Sequence, residues 1–70
     1  MQFCLLDVVK LRERLLAGMD DGSDVPAGSV GTIVEVLSES EGMYLVEFSD
    51  DEGRTLGLPA VSHTQIEPAP

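Results

Sequence analysis

The chain has 70 residues, of which 43% are hydrophobic, and its thirteen acidic side chains against four basic ones give a formal net charge of -9. This length predicts one small domain, residues 1–70, which buries about 60% of the surface that its unfolded form exposes. The apolar content excludes the disordered class. The acidity argues against direct binding of nucleic acid, because phosphate contacts draw on Lys and Arg.

Residues 1–11 are apolar but carry Asp7 and Lys10. The segment is too short to span a membrane and lacks the basic start of a secretory signal. The single cysteine, Cys4, cannot form an intramolecular disulfide, and no Cys/His spacing indicates zinc. We therefore expect a cytoplasmic protein with no membrane partner.

Residues 6–16, LDVVKLRERLL, fit two periodicities. With a period of two, Val9 and Leu11 face one side and the basic side chains face the other. With a helical period, the apolar stripe is broken by Arg12, although Leu, Arg and Glu are good helix formers. The alternation favours a strand that ends near Glu13, and a helix is the alternative.

Residues 17–29, AGMDDGSDVPAGS, are dense in Gly, Asp, Ser and Pro and predict a long loop with its tip at residues 20–23. Loops of this length in compact domains tend to be functional or mobile. The acids of this loop are therefore candidates for contact with a partner.

Three alternating segments follow, and we predict strands over residues 30–37, 43–49 and 54–58. The strongest hairpin signal is DDEG, because Gly53 can adopt a positive φ. We predict a single helical turn at residues 60–63. A last short strand is expected at residues 64–68, closed by a proline.

Five short strands and no convincing helix predict an all-β fold. The most economical form is a small five-stranded SH3-like barrel with a long loop after the first strand, because closing the sheet limits its exposed edges. A strongly bent sheet is the alternative. The predicted core consists of Val9, Leu11, Val34, Val36, Tyr44, Val46, Phe48, Leu56, Leu58 and Ile66.

Gly28 and Gly31 precede the second predicted strand in PAGSVGTIVEV, residues 26–36, and raise the question of a phosphate loop. Such a loop needs Lys-Ser/Thr after the second glycine and a helix that begins there, and the sequence has neither. We interpret Gly28 as a turn residue. We interpret Gly31 as a bend or a close approach of two backbones.

Two acidic clusters, residues 20–24 and 50–52, invite comparison with calcium loops. Both lack the glutamate that a twelve-residue loop needs at its last position, where Gly31 and Val61 stand. We interpret both clusters as solvated turns, so no metal ligand is predicted.

Cys4 and His63 are the only thiol and the only imidazole, and most of the chain separates them. A nucleophilic pair needs a third group that orients the base, and none is evident. We therefore predict no catalytic residue and no cofactor, and we expect that the protein is not an enzyme.

Charged side chains at two places are candidates for partner binding: Asp20, Asp21 and Asp24 in the long loop, and Lys10, Arg12 and Arg14 along the first strand. The basic stripe has two interpretations. Its members pair across strands with Glu35 or Glu47, or they form a basic spot for an acidic partner segment.

Five segments that span nearly the whole chain occur in a characteristic order: DVVKL (7–11), VPAGSVGTIVEV (25–36), YLVEF (44–48), DEGRTLGLPA (51–60) and IEP (66–68). In this order they resemble a group of small, mostly bacterial and cyanobacterial domains of unknown function. The resemblance implies an SH3-like barrel with no established activity. Members of the group often lie near toxin–antitoxin or other small accessory genes, which implies a binding or antitoxin-like role. The loop at residues 14–24 is longer than usual for the group.

The sequence thus favours a non-enzymatic, acidic protein-binding module that uses the long loop and an open sheet edge, with self-association through the same edge as a corollary. The alternative is an antitoxin- or inhibitor-like protein whose acidic face covers a basic partner, either a toxin or a nucleic-acid-binding protein.

Overall fold

A computed structural model of the chain describes residues 3–15 and 24–69. Within these residues it contains six strands in one antiparallel sheet and one short 3-10 helix. The predicted all-β fold is confirmed. The elements are β1 (Val8–Leu11), β2 (Val30–Ser38), β3 (Met43–Ser49), β4 (Thr55–Gly57), β5 (Ala60–Ser62), the 3-10 helix (His63–Gln65) and β6 (Ile66–Pro68).

The strands lie side by side in the order β4-β3-β2-β1-β6, and β5 also pairs with β3. In the part of the chain that the structure describes, no ladder joins β6 to β4 or β5. The sheet is therefore open, and the prediction of a closed five-stranded barrel is wrong. The extra strand arises at Pro59, which has no backbone N–H and separates β4 from β5. The Pro59 carbonyl accepts a hydrogen bond from the N–H of Val46 at 3.1 Å, so the chain stays beside β3 across this break.

The helical turn predicted at residues 60–63 is wrong for its first three residues, which form β5. The helix begins only at His63, because Ser62 caps it. The Ser62 side chain accepts a hydrogen bond from the N–H of Thr64, and the Gln65 side chain accepts one from the N–H of Ser62 at 2.8 Å. This reciprocal capping box fixes the position at which the strand ends.

The first predicted strand is confirmed as a strand, although it ends at Leu11 and not near Glu13. Val9 and Leu11 are buried, as the alternation predicts. Leu11 pairs with Ile66 in β6, and Val9 pairs with Gly31 in β2. β6 thus covers one side of the core by pairing with β1.

Two predicted core residues, Val34 and Leu58, are exposed, and the prediction of their burial is wrong. Ile33 faces inward together with Gly31, so Val34 faces solvent by ordinary alternation, and the predicted core takes the opposite face of β2. A β-bulge between Ile33 and Glu35 then adds one residue to β2, which brings Val36 back toward the core. Val36 and Leu56 are partly buried against the core. The buried core consists of Val9, Leu11, Val25, Ile33, Tyr44, Val46, Phe48, Val61 and Ile66.

The segment before β1 is attached to the core through Tyr44. Its hydroxyl accepts a hydrogen bond from the N–H of Phe3 at 3.1 Å, and the two rings meet edge to face with centroids 5.8 Å apart. Further along, the N–H of Leu6 donates to the Ile33 carbonyl at 2.7 Å, and Leu6 has a positive φ of 71°. The segment therefore runs along the same edge of β2 that pairs with β1, as far as Ile33.

The loop after β1 is fastened close to both of its ends. Leu15 and Val25 form an isolated antiparallel bridge, and Val25 is buried. The Leu11 carbonyl accepts a hydrogen bond from the N–H of Gly28 at 2.8 Å. The predicted tip at residues 20–23 lies outside the described residues.

Candidate functional site

A cavity of about 300 Å³ lies between the end of the first loop and the turn that joins β3 to β4. One wall comes from residues 26–30 and the other from the end of β3, its turn and β4. The lining residues are Pro26, Ala27, Gly28, Ser29, Val30, Ser49, Asp50, Asp51 and Leu56.

The loop wall is a tight turn that enters β2. The Pro26 carbonyl accepts hydrogen bonds from the N–H of Ser29 at 3.1 Å and from its hydroxyl at 2.6 Å. Gly28 has a φ of +88° and open space around its α-carbon, which confirms that it is a turn residue. These hydrogen bonds close the turn. Pro26, Ala27 and Val30 are the apolar residues of this wall that line the cavity.

The opposite wall is organised by the carboxylate of Asp50. One of its oxygens accepts hydrogen bonds from the backbone N–H groups of Glu52 and Arg54, both at 2.9 Å, and the other accepts one from the Arg54 guanidinium at 3.1 Å. The hydrogen bond from the Arg54 backbone is the main reason that the pKa of Asp50 is lowered from 3.8. Gly53 has a φ of 83°, as the DDEG signal predicts.

Asp51 is the other acid of the cavity, and its carboxylate forms no hydrogen bond or ion pair within residues 3–15 and 24–69. Val30 and Leu56 are apolar residues that line the same cavity. The site therefore combines one free negative charge with apolar walls, an arrangement suited to holding an amphipathic side chain.

The basic stripe pairs with different acids from those predicted. Lys10 lies opposite Glu67 in the β1–β6 ladder, and its ammonium is 3.6 Å from the Glu67 carboxylate. Arg12 also approaches Glu67, at 3.8 Å, and donates to the Thr64 carbonyl at 3.4 Å. The predicted pairs with Glu35 and Glu47 are therefore wrong, because β6, and not β2 or β3, carries the acid nearest to these bases.

Other predicted site residues lie elsewhere. Arg14 is exposed and forms no ion pair among the residues that the structure describes. Asp24 is exposed at the end of the loop, two positions before the cavity begins at Pro26. Asp20 and Asp21 fall outside the described residues. Of the six predicted residues, the four that the structure describes do not line the cavity.

Cys4 is exposed and its thiol is free. His63 is exposed at the start of the 3-10 helix. The N–H of His63 donates to the Gly42 carbonyl at 2.8 Å, which ties the helix to the β2–β3 turn. Within the described ranges no three His, Cys, Asp or Glu side chains group as metal ligands would, and no helix there is long and apolar enough to cross a membrane.

The fold and the cavity define a small acidic all-β domain with an open cavity between two turns. The family model described as Domain of unknown function (DUF4926) matches residues 5–68, and the chain belongs to this family. No curated protein matches the chain, and no solved structure does either.

Proposed function

We propose that this domain is a non-enzymatic protein-binding module whose contact surface is centred on the cavity between residues 26–30 and the β3–β4 turn. The observation that carries the proposal is the composition of this cavity. Its apolar walls and a carboxylate without an internal partner are the features by which pockets receive side chains of another protein. Its volume, about 300 Å³, is at the lower end for small-molecule pockets, which favours one or two side chains as the occupant.

The position of the cavity supports the same function. Binding residues are often found in loops that a rigid scaffold holds in place. Here the loop wall is joined to β1 through the Gly28–Leu11 hydrogen bond, and the turn wall is held by Asp50. A partner would therefore meet two preformed walls, at little cost in ordering.

The experiment is affinity capture from the cell of origin with two variants. Each replaces a half-exposed apolar residue by serine, one at the cavity and one away from it. Val30 is 44% exposed and lines the cavity, whereas Leu37 is 46% exposed and does not line it. We expect Val30→Ser to lose a captured protein that both the wild type and Leu37→Ser retain. Equal capture by all three forms, or a strictly monomeric wild type with no captured protein, contradicts the proposal.

An antitoxin- or inhibitor-like role is the second candidate. Lys10 and Arg12 pair with Glu67, and Arg54 pairs with Asp50 and Glu52. These bases are therefore not free to neutralise the remaining acidic side chains of the surface, which supports this role. A basic toxin or nucleic-acid-binding protein fits such a surface. Its binding should weaken strongly between about 0.05 M and about 0.5 M salt. Affinity for a basic partner that stays the same over this range contradicts this role.

We propose in addition an SH3-like arrangement and a cytoplasmic location. The order of β1, the three-strand meander β2–β4, the short β5, the 3-10 helix and the final strand β6 supports the first. An exposed free thiol at Cys4 supports the second, because such thiols persist in reducing compartments.

A further inference from the structure

We propose that the cavity accepts a single arginine or lysine side chain from an extended basic segment of another protein. This inference rests on the proposed binding function and names the chemistry of its partner. It takes the apolar walls as the contact for the methylene stem and Asp51 as the contact for the cationic head.

The apolar part of the cavity matches the stem of such a side chain. Pro26, Val30 and Leu56 contribute carbon surface from the loop wall, from the start of β2 and from β4. Lysine and arginine side chains cover apolar surface with their stems while the charged end stays in water. An open cavity with a charged edge allows both contacts at once.

Of the two acids that line the cavity, one is already held by hydrogen bonds and the other has no partner in the described residues. The carboxylate of Asp50 is occupied by three hydrogen bonds from residues of its own turn. Arg54 is held by Asp50 and also by Glu52, at 2.6 Å, and is not among the lining residues. Asp51 is therefore the acidic lining residue whose carboxylate has no partner in the described residues and is left for a cation from outside.

The charge of the chain argues that this cation comes from a different protein. A second copy would bring another net charge of -9 to the contact, and like charges repel. Of the four bases of such a copy, Lys10, Arg12 and Arg54 are already paired with its own acids. Arg14 alone forms no ion pair in the described residues, and one such base does not offset a net charge of -9. A basic partner instead gains from the whole acidic surface as it approaches.

The probe for this inference is a blocked hexa-arginine peptide, with blocked hexa-citrulline as the control that keeps the shape and removes the charge. Binding is followed by ¹H–¹⁵N NMR of the full chain at about 0.15 M ionic strength, where charges more than about 8 Å apart are largely screened. We expect shifts concentrated at Gly28–Val30, Ser49–Asp51 and Leu56 with hexa-arginine, and little change with hexa-citrulline. Shifts spread evenly over all acidic positions contradict the inference.

Two charge-neutralising variants separate a specific site from general attraction. Asp51→Asn removes the cavity carboxylate, and Glu41→Gln removes an exposed acid of the β2–β3 turn that does not line the cavity. We expect Asp51→Asn to weaken hexa-arginine binding about threefold to fivefold, as for an exposed ion pair, and Glu41→Gln to have much less effect. Equal losses in both variants overturn the inference.

The same variants keep this inference distinct from the proposed function. If Asp51→Asn still captures the cellular partner that Val30→Ser loses, the cavity binds a protein but not through a cation, and only the inference fails. If Val30→Ser and Asp51→Asn both retain the partner, the proposed site itself is wrong. Loss of the partner in both variants, together with the hexa-arginine result, supports both.

Discussion

Gly31 in β2 and Phe48 in β3 are cross-strand partners, and the Phe48 ring lies against the space that a side chain at position 31 would need. A β-carbon built on Gly31 would lie 2.8 Å from the Phe48 ring and 2.7 Å from the Glu47 carbonyl oxygen, closer than real β-carbons approach. Gly31 is thus needed for space, which confirms the prediction of a close approach between two backbones.

Replacing Gly31 by alanine should destabilise the domain, because the added methyl group meets a backbone oxygen and a buried ring. We expect a loss of about 1–3 kcal/mol in the free energy of unfolding, as for other overpacked sites, measured by urea denaturation. The control is Gly28→Asn, where an added side chain meets no atom within 4 Å and the only cost is the positive φ, which asparagine tolerates better than most residues. A Gly31→Ala protein as stable as Gly28→Asn contradicts this explanation.

Alanine substitutions at Ile33 and Val34 test which face of β2 is buried. Ile33 is fully buried, and its replacement by alanine should cost about 2–5 kcal/mol. Val34 is 37% exposed, and its substitution should change stability by no more than about 0.5 kcal/mol. Urea denaturation of both variants measures the difference. A larger loss at Val34 than at Ile33 would show that the predicted face of β2, with Val34 inward, is the buried one.

The faces of the strands show which parts of the fold the sequence could predict. Alternation correctly identifies the buried side chains of β1 and β3, for example Val9 and Phe48, because neither strand contains an inserted residue. It fails in β2, because alternation alone does not say which face is buried, and one inserted residue after Ile33 then puts Ile33 and Val36 on the same side. Val61 was missed for a different reason, since AVSH carries too short a pattern to distinguish a strand from a helical turn.

The candidate site was only partly predictable. PAGSV and DDEG are recognisable turns, and the positive φ of Gly28 and Gly53 confirms both. Their arrangement across one cavity depends on strand pairing between residues far apart in sequence, as between Val30 and Ser49. Local patterns do not specify such pairing, and the sequence therefore favoured the charged loop as the site and did not predict the cavity.

Glu67 should contribute modestly to stability through Lys10 and Arg12. All three side chains are substantially exposed, so solvent weakens both ion pairs. We expect Glu67→Gln to cost at most about 1 kcal/mol at low salt, and the cost should shrink at about 1 M salt, where screening is strong. The control, Glu41→Gln, removes an acid with no ion pair in the described residues and should be neutral or slightly stabilising. A salt-independent loss at Glu67 would indicate packing and not charge.

Asp50 should make stability depend on pH in the acidic range. Its pKa in the folded protein is lowered from 3.8, mainly by the hydrogen bond from the Arg54 backbone N–H. The ionised carboxylate therefore stabilises the fold above pH 3.8, and this contribution is lost as the pH falls through the lowered folded-state pKa. We expect the stability difference between the wild type and Asp50→Asn to be largest near neutral pH and to shrink toward about pH 2.

Urea denaturation over this pH range measures the difference, and Asp51→Asn is the matched control. The Asp51 carboxylate forms no hydrogen bond within the described part of the chain, whereas Asp50 accepts bonds from Glu52 and Arg54. Asp51→Asn should therefore follow the wild-type pH profile. A stability difference between wild type and Asp50→Asn that is the same at neutral pH and at about pH 2 would show that the charge of Asp50 does not hold this turn, and the preformed second wall of the cavity would then need another explanation.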